Sequence, residues 1–181
     1  MAVLISMLRG VNVGGKKVPM PVLKEIYNGL KFKNVTTYIN SGNVVFSCGT
    51  SSLKTISKKL EQKIFEKLGF KVPVIIRAPD EIKSVINKNP FLKEKGINTE
   101  RLYITFLKEL PNKSNLDKTM EYNFEPDRFI IIDKEIYIYC PISYGNSKLN
   151  NNFFENKLKV TATTRNLRTT TELLKIASSI K

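Results

Sequence analysis

VTTYINSGNVVFSC, residues 35–48, reads as two strands on either side of a turn at Asn40-Ser41-Gly42-Asn43. Turn residues between two β-rich runs are a hairpin signal. Before it, AVLISML (2–8) is the apolar run of a buried strand, and Val22, Leu23, Ile26 and Leu30 recur at helical spacing between about Pro19 and Leu30. Pro19 and Pro21 suit a first helical turn, where a missing N–H costs little. After it, Leu53, Ile56, Leu60, Ile64 and Leu68 form one stripe of a helix over Ser52–Leu68, and Gly69 follows as its C-cap. VPVIIR (72–77) is a fourth strand that Pro73 confines to a sheet edge. The order βαββαβ predicts an α+β, ferredoxin-like (split βαβ) unit. Its two most apolar strands are the first and third, which are central in that topology.

The pattern then recurs. A linking helix is expected over 79–89, ended by Asn89-Pro90. RLYITFL is a strand, Asn115–Tyr122 a short helix, and RFIIID with EIYIYC a hairpin. Ser147–Leu158 reads as a helix, VTAT as a short strand, and Thr169–Ile180 as a C-terminal helix with Thr169 and Glu172 at capping-box spacing. Both hairpins end in cysteine, at Cys48 and Cys140. The expectation is a duplicated fold with antiparallel sheets, its halves at 1–78 and 79–181.

The chain of 181 residues is 41% hydrophobic, enough for a true core. It has no histidine, which removes His-dependent zinc sites and Ser-His-Asp or Cys-His triads. Its two cysteines cannot supply a four-thiolate site. No apolar run approaches the ~20 residues of a membrane span. A soluble, cytoplasmic protein with reduced thiols is expected. The net charge is +14, but lysine supplies 24 of 30 cations beside 17 asparagines, a composition that an AT-rich genome produces whatever the function. Distribution says more: residues 1–78 hold 13 cations and 3 anions, the remainder 17 and 13. The positive field belongs to the first half.

Gly10-Val-Asn-Val-Gly-Gly-Lys-Lys17 nearly matches the spacing of a P-loop. Lys17 stands where that loop needs a hydroxyl for its metal, and Val18-Pro19-Met20-Pro21 delays the receiving helix. A looser reading is a glycine loop whose bare N–H groups at Gly14 and Gly15, with Arg9, Asn12, Lys16 and Lys17 around them, bind phosphate or carboxylate. The plainer reading is a turn that needs positive φ at the two glycines. In the second half Tyr137 and Tyr139 alternate with Ile136 and Ile138, so the tyrosines share one face. With Tyr103 they offer a base-stacking platform, or simply cover for a sheet. Lys54, Lys58, Lys59, Lys63 and Lys67 lie off the stripe of their helix, as phosphate contacts or as a solvated face. Both cysteines read as buried small hydrophobes.

Two distal stretches are denser in hydrogen-bonding side chains than connectors need: Tyr144–Leu149, with Ser147 and Lys148, and Thr161–Thr169, with Thr164, Arg165, Asn166 and Arg168. Arg165 and Arg168 are two of only six arginines, and a planar fork is what lysine cannot replace. Capping by Ser147, Thr164 and Thr169 would explain the hydroxyls but not the arginines.

LRGVNVGGKKVPM, TYINSGNVVF, SKL and ATTRNLRT together resemble a bacterial family of uncharacterised proteins, the domain of unknown function 1697, in register over nearly the whole chain. The resemblance implies two packed ferredoxin-like halves and no activity. It marks Arg9, Gly10, Asn12, Gly14, Gly15, Lys16, Tyr38, Ser41, Gly42, Asn43, Ser147, Lys148, Thr164, Arg165 and Asn166. Lys31 departs from a glycine in that pattern, Leu167 from a tryptophan, and the segment before Ser147 is shortened to Tyr-Gly-Asn.

Three readings follow: a non-catalytic binder of an anionic partner, above all nucleic acid; an enzyme on a phosphorylated or carboxylated small molecule, with Lys16, Tyr38 and Asp133 available but unpaired; or an interaction module. No cofactor and no metal is expected. A single anion site would require the Arg9–Lys17 loop, the turn at Ser41 and the Arg165-Asn166 segment to converge. The loop and the turn are expected at opposite ends of their sheet.

Overall fold

The structure, a computed structural model, describes residues 1–49 and 52–180. It contains two four-stranded antiparallel sheets and six α-helices among those residues. In the first sheet, β1 (Ala2–Leu8), β2 (Lys33–Tyr38), β3 (Asn43–Cys48) and β4 (Val74–Arg77) lie in the order β2-β3-β1-β4. The first and third strands are central, and β4, which follows Pro73, is an edge, as the residue chemistry predicts. Leu4, Leu8, Val44, Phe46, Val74 and Ile76 alternate onto the face covered by α1 (Met20–Gly29) and α2 (Leu53–Leu68). There they meet Leu23, Ile26 and Tyr27 of α1, and Ile56, Leu60 and Ile64 of α2. Ser6 sits on this apolar face because its hydroxyl is paired with the Tyr27 hydroxyl at 2.7 Å. Burial drives the Tyr27 phenol far above its ordinary range. Ser52 caps α2 by accepting from Thr55 N, and Gly69 closes it in the left-handed conformation that a residue without Cβ adopts freely.

The second sheet repeats the order. β5 (Leu102–Leu107), β6 (Arg128–Ile132), β7 (Glu135–Tyr139) and β8 (Ala162–Asn166) lie as β6-β7-β5-β8, with α4 (Lys113–Met120) and α5 (Asn151–Leu158) in the crossovers. Ile136, Ile138, Leu107 and Ala162 pack with Phe154 and Leu158 of α5. α3 (Pro79–Asn87) and a 3₁₀ turn over Pro90–Lys93 connect the halves, and α6 (Leu167–Ser179) ends the chain. By contacts the chain divides into Met1–Lys83 with Glu172–Lys181, and Ser84–Thr171. The end of α6 therefore groups with the first unit. No helix among the described residues is long and apolar enough to cross a membrane.

Several local expectations are corrected. α5 begins at Asn151, not Ser147, because Asn150 is its cap and accepts from Phe153 N at 3.0 Å. α6 begins at Leu167, with Asn166 Oδ1 accepting from Thr169 N at 2.7 Å in place of a Thr169 capping box. Asparagine serves an N-cap as well as a hydroxyl does. Tyr103 does not join Tyr137 and Tyr139. It pairs with Ile138 and therefore shares the core-facing side, where it stacks on Tyr144 at 4.4 Å.

Candidate functional site

The loop leaving β1 and the β2–β3 turn lie at the same end of the first sheet, contrary to the expectation of opposite ends. β1 and β3 are antiparallel neighbours with Met7 opposite Asn43, so the end of one adjoins the start of the other. Leu8 N donates to Gly42 O at 2.9 Å. The start of β4 joins them, since Leu8 pairs with Val74 and Arg9 N donates to Pro73 O at 2.9 Å. Three strand ends thus gather Arg9–Lys17, Tyr38–Asn43 and Lys71–Pro73.

Asn12 organises the loop. Its backbone is left-handed at φ 58°, and its side chain pairs with Val18 in both directions, accepting from Val18 N at 2.8 Å and donating to Val18 O at 3.2 Å. The same amide nitrogen donates to Asn40 O at 2.6 Å, tying the loop to the hairpin turn. On the other side Asn43, fully buried, donates from its amide to Tyr38 O and to Ser41 Oγ. Asn12 and Asn43 are therefore the braces of this end. Gly42 fills the closest approach: a Cβ there would stand 2.5 Å from Val11 Cγ2 and 2.8 Å from Leu8 Cβ, at φ 70°.

Above these braces the segment Val13–Lys17 is exposed. Gly14 and Gly15 have φ of 60° and 91°, as the turn reading requires, and open space where Cβ atoms would be. Asn12 N donates to Lys16 O, Lys17 N donates to Gly15 O, and the helix waits until Met20. Two amides that a P-loop would direct at phosphate are thus spent inside the turn. Among the described residues no group accepts from the Gly14 or Gly15 N–H. Lys16 Nζ lies 3.5 Å from Lys71 O and 5.9 Å from the centre of the Phe70 ring. Lys71 is exposed beside it and is a cation that sequence reading missed. Its signal lay in the topology, which puts the start of the fourth strand next to the end of the first. Glu61, the carboxylate at this end, accepts from Val74 N at 2.8 Å and from the Ser57 hydroxyl.

The distal residues lie within the second unit. Asn166 pairs with Tyr103, which stacks on Tyr144 ahead of Ser147. Ser147 is buried, accepts from Leu149 N at 3.0 Å and lies against the Cys140 thiol. Thr105 donates to Thr164 Oγ1, which donates to Asn151 Oδ1, at 2.6 and 2.7 Å. Arg165 is buried and its guanidinium donates to Thr163 Oγ1 and Thr164 O. Lys148 and Arg168 are the exposed cations here, Lys148 6.0 Å from the Phe124 ring centre.

The tyrosines do not form a platform. Tyr137 is buried, which raises its phenol to about 12, and Tyr139 is covered by the Arg128 guanidinium at 5.3 Å and by Phe91. Both cysteines are free and buried, and burial lifts the Cys140 thiol to about 11. The lysines of α2 lie exposed, Lys63 paired with Glu66 at 2.9 Å. No group of three Cys, Asp or Glu that could hold a metal occurs among the described residues.

Fold and site together define a duplicated α+β protein whose polar loops are braced at strand ends. Residues 1–137 match the family described as Protein of unknown function (DUF1697), and the chain belongs to it. The fold is similar to that of the conserved bacterial protein SP0830 from Streptococcus pneumoniae, with a TM-score of 0.78, 20% identity and 99% of each chain covered. No curated protein matches.

Proposed function

We propose that the protein is a non-catalytic binder of a phosphate-bearing polyanion, nucleic acid foremost, and that the Arg9–Lys17 loop is its contact surface. The observation that carries this reading is the pair of bare amides at Gly14 and Gly15, exposed and left-handed beside Lys16 and Lys17. Successive N–H groups in such a turn make a concavity for anionic oxygen. Arg9, Lys71 and the 13-to-3 excess of cations over the first 78 residues supply the field.

Openness favours a polyanion over a small substrate. Small-molecule sites bury roughly 70–90% of their ligand, whereas a Cβ at Gly10, Gly14 or Gly15 would meet nothing within 4 Å. With Tyr137 buried and Tyr139 covered, the second sheet offers no base-stacking platform, and the contact assigned to the loop is with the phosphate backbone, which tolerates any sequence.

Anisotropy titration of short labelled single-stranded DNA and RNA, from about 50 to 200 mM salt, tests this. Affinity falls steeply with salt, and Lys16→Ala/Lys17→Ala reduces the slope of log K against log salt by about 1–2. A salt-insensitive mononucleotide or sugar phosphate that is turned over would favour the enzyme reading instead. Absence of salt-dependent oligonucleotide binding would remove the proposal.

A further inference from the structure

The second sheet ends in an unprotected edge. Natural edge strands are blunted by lysine, proline, bulges or brevity. β2 carries Lys33 and a register shift between Lys33 and Thr36, and β4 is four residues long behind Pro73. β6, by contrast, is Arg128-Phe-Ile-Ile-Ile132, in continuous register with β7 on one side and with no strand on the other among the described residues. Which of its backbone groups face outward follows from the ladder. Leu107 N donates to Lys134 O, and Cys140 N to Arg101 O, so the even-numbered residues of β7 bond β5. The odd-numbered ones bond Ile132, Ile130 and Arg128, leaving the N–H and C=O of Phe129 and Ile131 directed away from the sheet.

A groove of about 460 Å³ lies along this strand, lined by residues 128–131, by Phe91 and Glu94, and by Met120, residues 122–125 and Asp127. Met120, Tyr122 and Ile130 are exposed in it. Its acids are Glu94, Glu125 and Asp127, and its one cation, Arg128, is held by both Glu94 oxygens at 2.8 and 3.3 Å. In a chain of net charge +14, five of the sixteen acids fall between Glu121 and Glu135.

We propose that this edge docks an extended, lysine-bearing segment of a partner protein as a fifth strand beside β6. Outward N–H and C=O groups give the pairing, exposed apolar side chains give area, and the acidic rim selects a basic strand. A second copy of the chain is the poorer occupant. Antiparallel β6–β6 pairing with Phe129 opposite Ile131 would set Asp127, just before the strand, opposite Asp133, just after it. Like charges directly opposite destabilise a ladder.

The test uses a fluorescein-labelled peptide of alternating lysine and valine, its glutamate–valine counterpart, and the lysine peptide N-methylated at every second residue. The lysine peptide binds, while the glutamate and N-methylated peptides bind at least tenfold more weakly. Glu125→Lys, an exposed side chain, weakens the lysine peptide several-fold and leaves unfolding unchanged. Equal binding of lysine and glutamate peptides, indifference to N-methylation, or sedimentation as a dimer whose β6 amides are protected would each overturn the proposal. The outcome does not depend on the polyanion reading, which concerns the other unit.

Discussion

Arg77 and Arg165 occupy the same station in the two sheets. Each lies on the last strand of its half, registered to an isoleucine of the first strand, Ile5 in one case and Ile104 in the other. Each is buried, and each donates from Nη1 to the carbonyl of the preceding residue, at 3.1 and 2.8 Å. The same superposition of registers carries Val45 onto Tyr137, and with it Cys48 onto Cys140. The duplication therefore survives in register and in one buried side chain, although the sequences have diverged. It also accounts for an arginine at 165 without any ligand, since a buried guanidinium at this station recurs at residue 77.

Gly42 is expected to be the least replaceable residue of the loop end. Gly42→Ala combines a left-handed backbone with a Cβ pressed on Val11 and Leu8, and should cost about 2–4 kcal/mol. Gly14→Ala meets open space and should cost only the backbone term of about 1–2 kcal/mol. Urea unfolding of the two variants checks the order; equal losses would show that Val11 yields.

Asn12→Gly keeps the left-handed conformation and deletes three side-chain hydrogen bonds. A loss of about 1–3 kcal/mol is expected, together with faster hydrogen exchange at the Val18 amide. Unchanged exchange there would mean that the backbone alone holds the loop.

Stability should decline in alkali. Folding raises the Cys140 thiol from 9.0 to about 11 and the Tyr137 phenol from 10.0 to about 12, in both cases mainly by burial. Between those values the unfolded chain has shed protons that the folded chain keeps, so the slope of unfolding free energy against pH is negative. The contribution is complete below pH 9 and is lost as pH rises through about 11 and about 12. Denaturant titrations at stepped pH should show the decline, and Cys140→Ala should flatten its earlier part. A flat profile in the native sequence would contradict the burial.

Much of the fold was legible because hairpin turns and an edge proline are local signals. Asn40–Asn43 and Pro73 placed their strands without help from the rest of the chain. What escaped were features set by register. Tyr103 faces the core because it pairs with Ile138, and the loop and hairpin turn share one end because β1 and β3 are antiparallel neighbours. The hydroxyl caps expected from the sequence give way to asparagines, a residue so frequent here that Asn150 and Asn166 carry no distinct signal. Of the proposed contact surface, Asn12 and Asn43 are braces, and Lys71 joined only through strand order.

Backbone-amide NMR during titration with a short oligonucleotide tests the central claim most directly, because Gly14 and Gly15 each report through the group proposed to bind. The account predicts salt-sensitive shifts that are largest at Gly14 and Gly15 and extend to Lys16, Lys17 and the turn at Ser41. Shifts confined to Ser84–Thr171, or none at the two glycines while binding is seen by anisotropy, would contradict it.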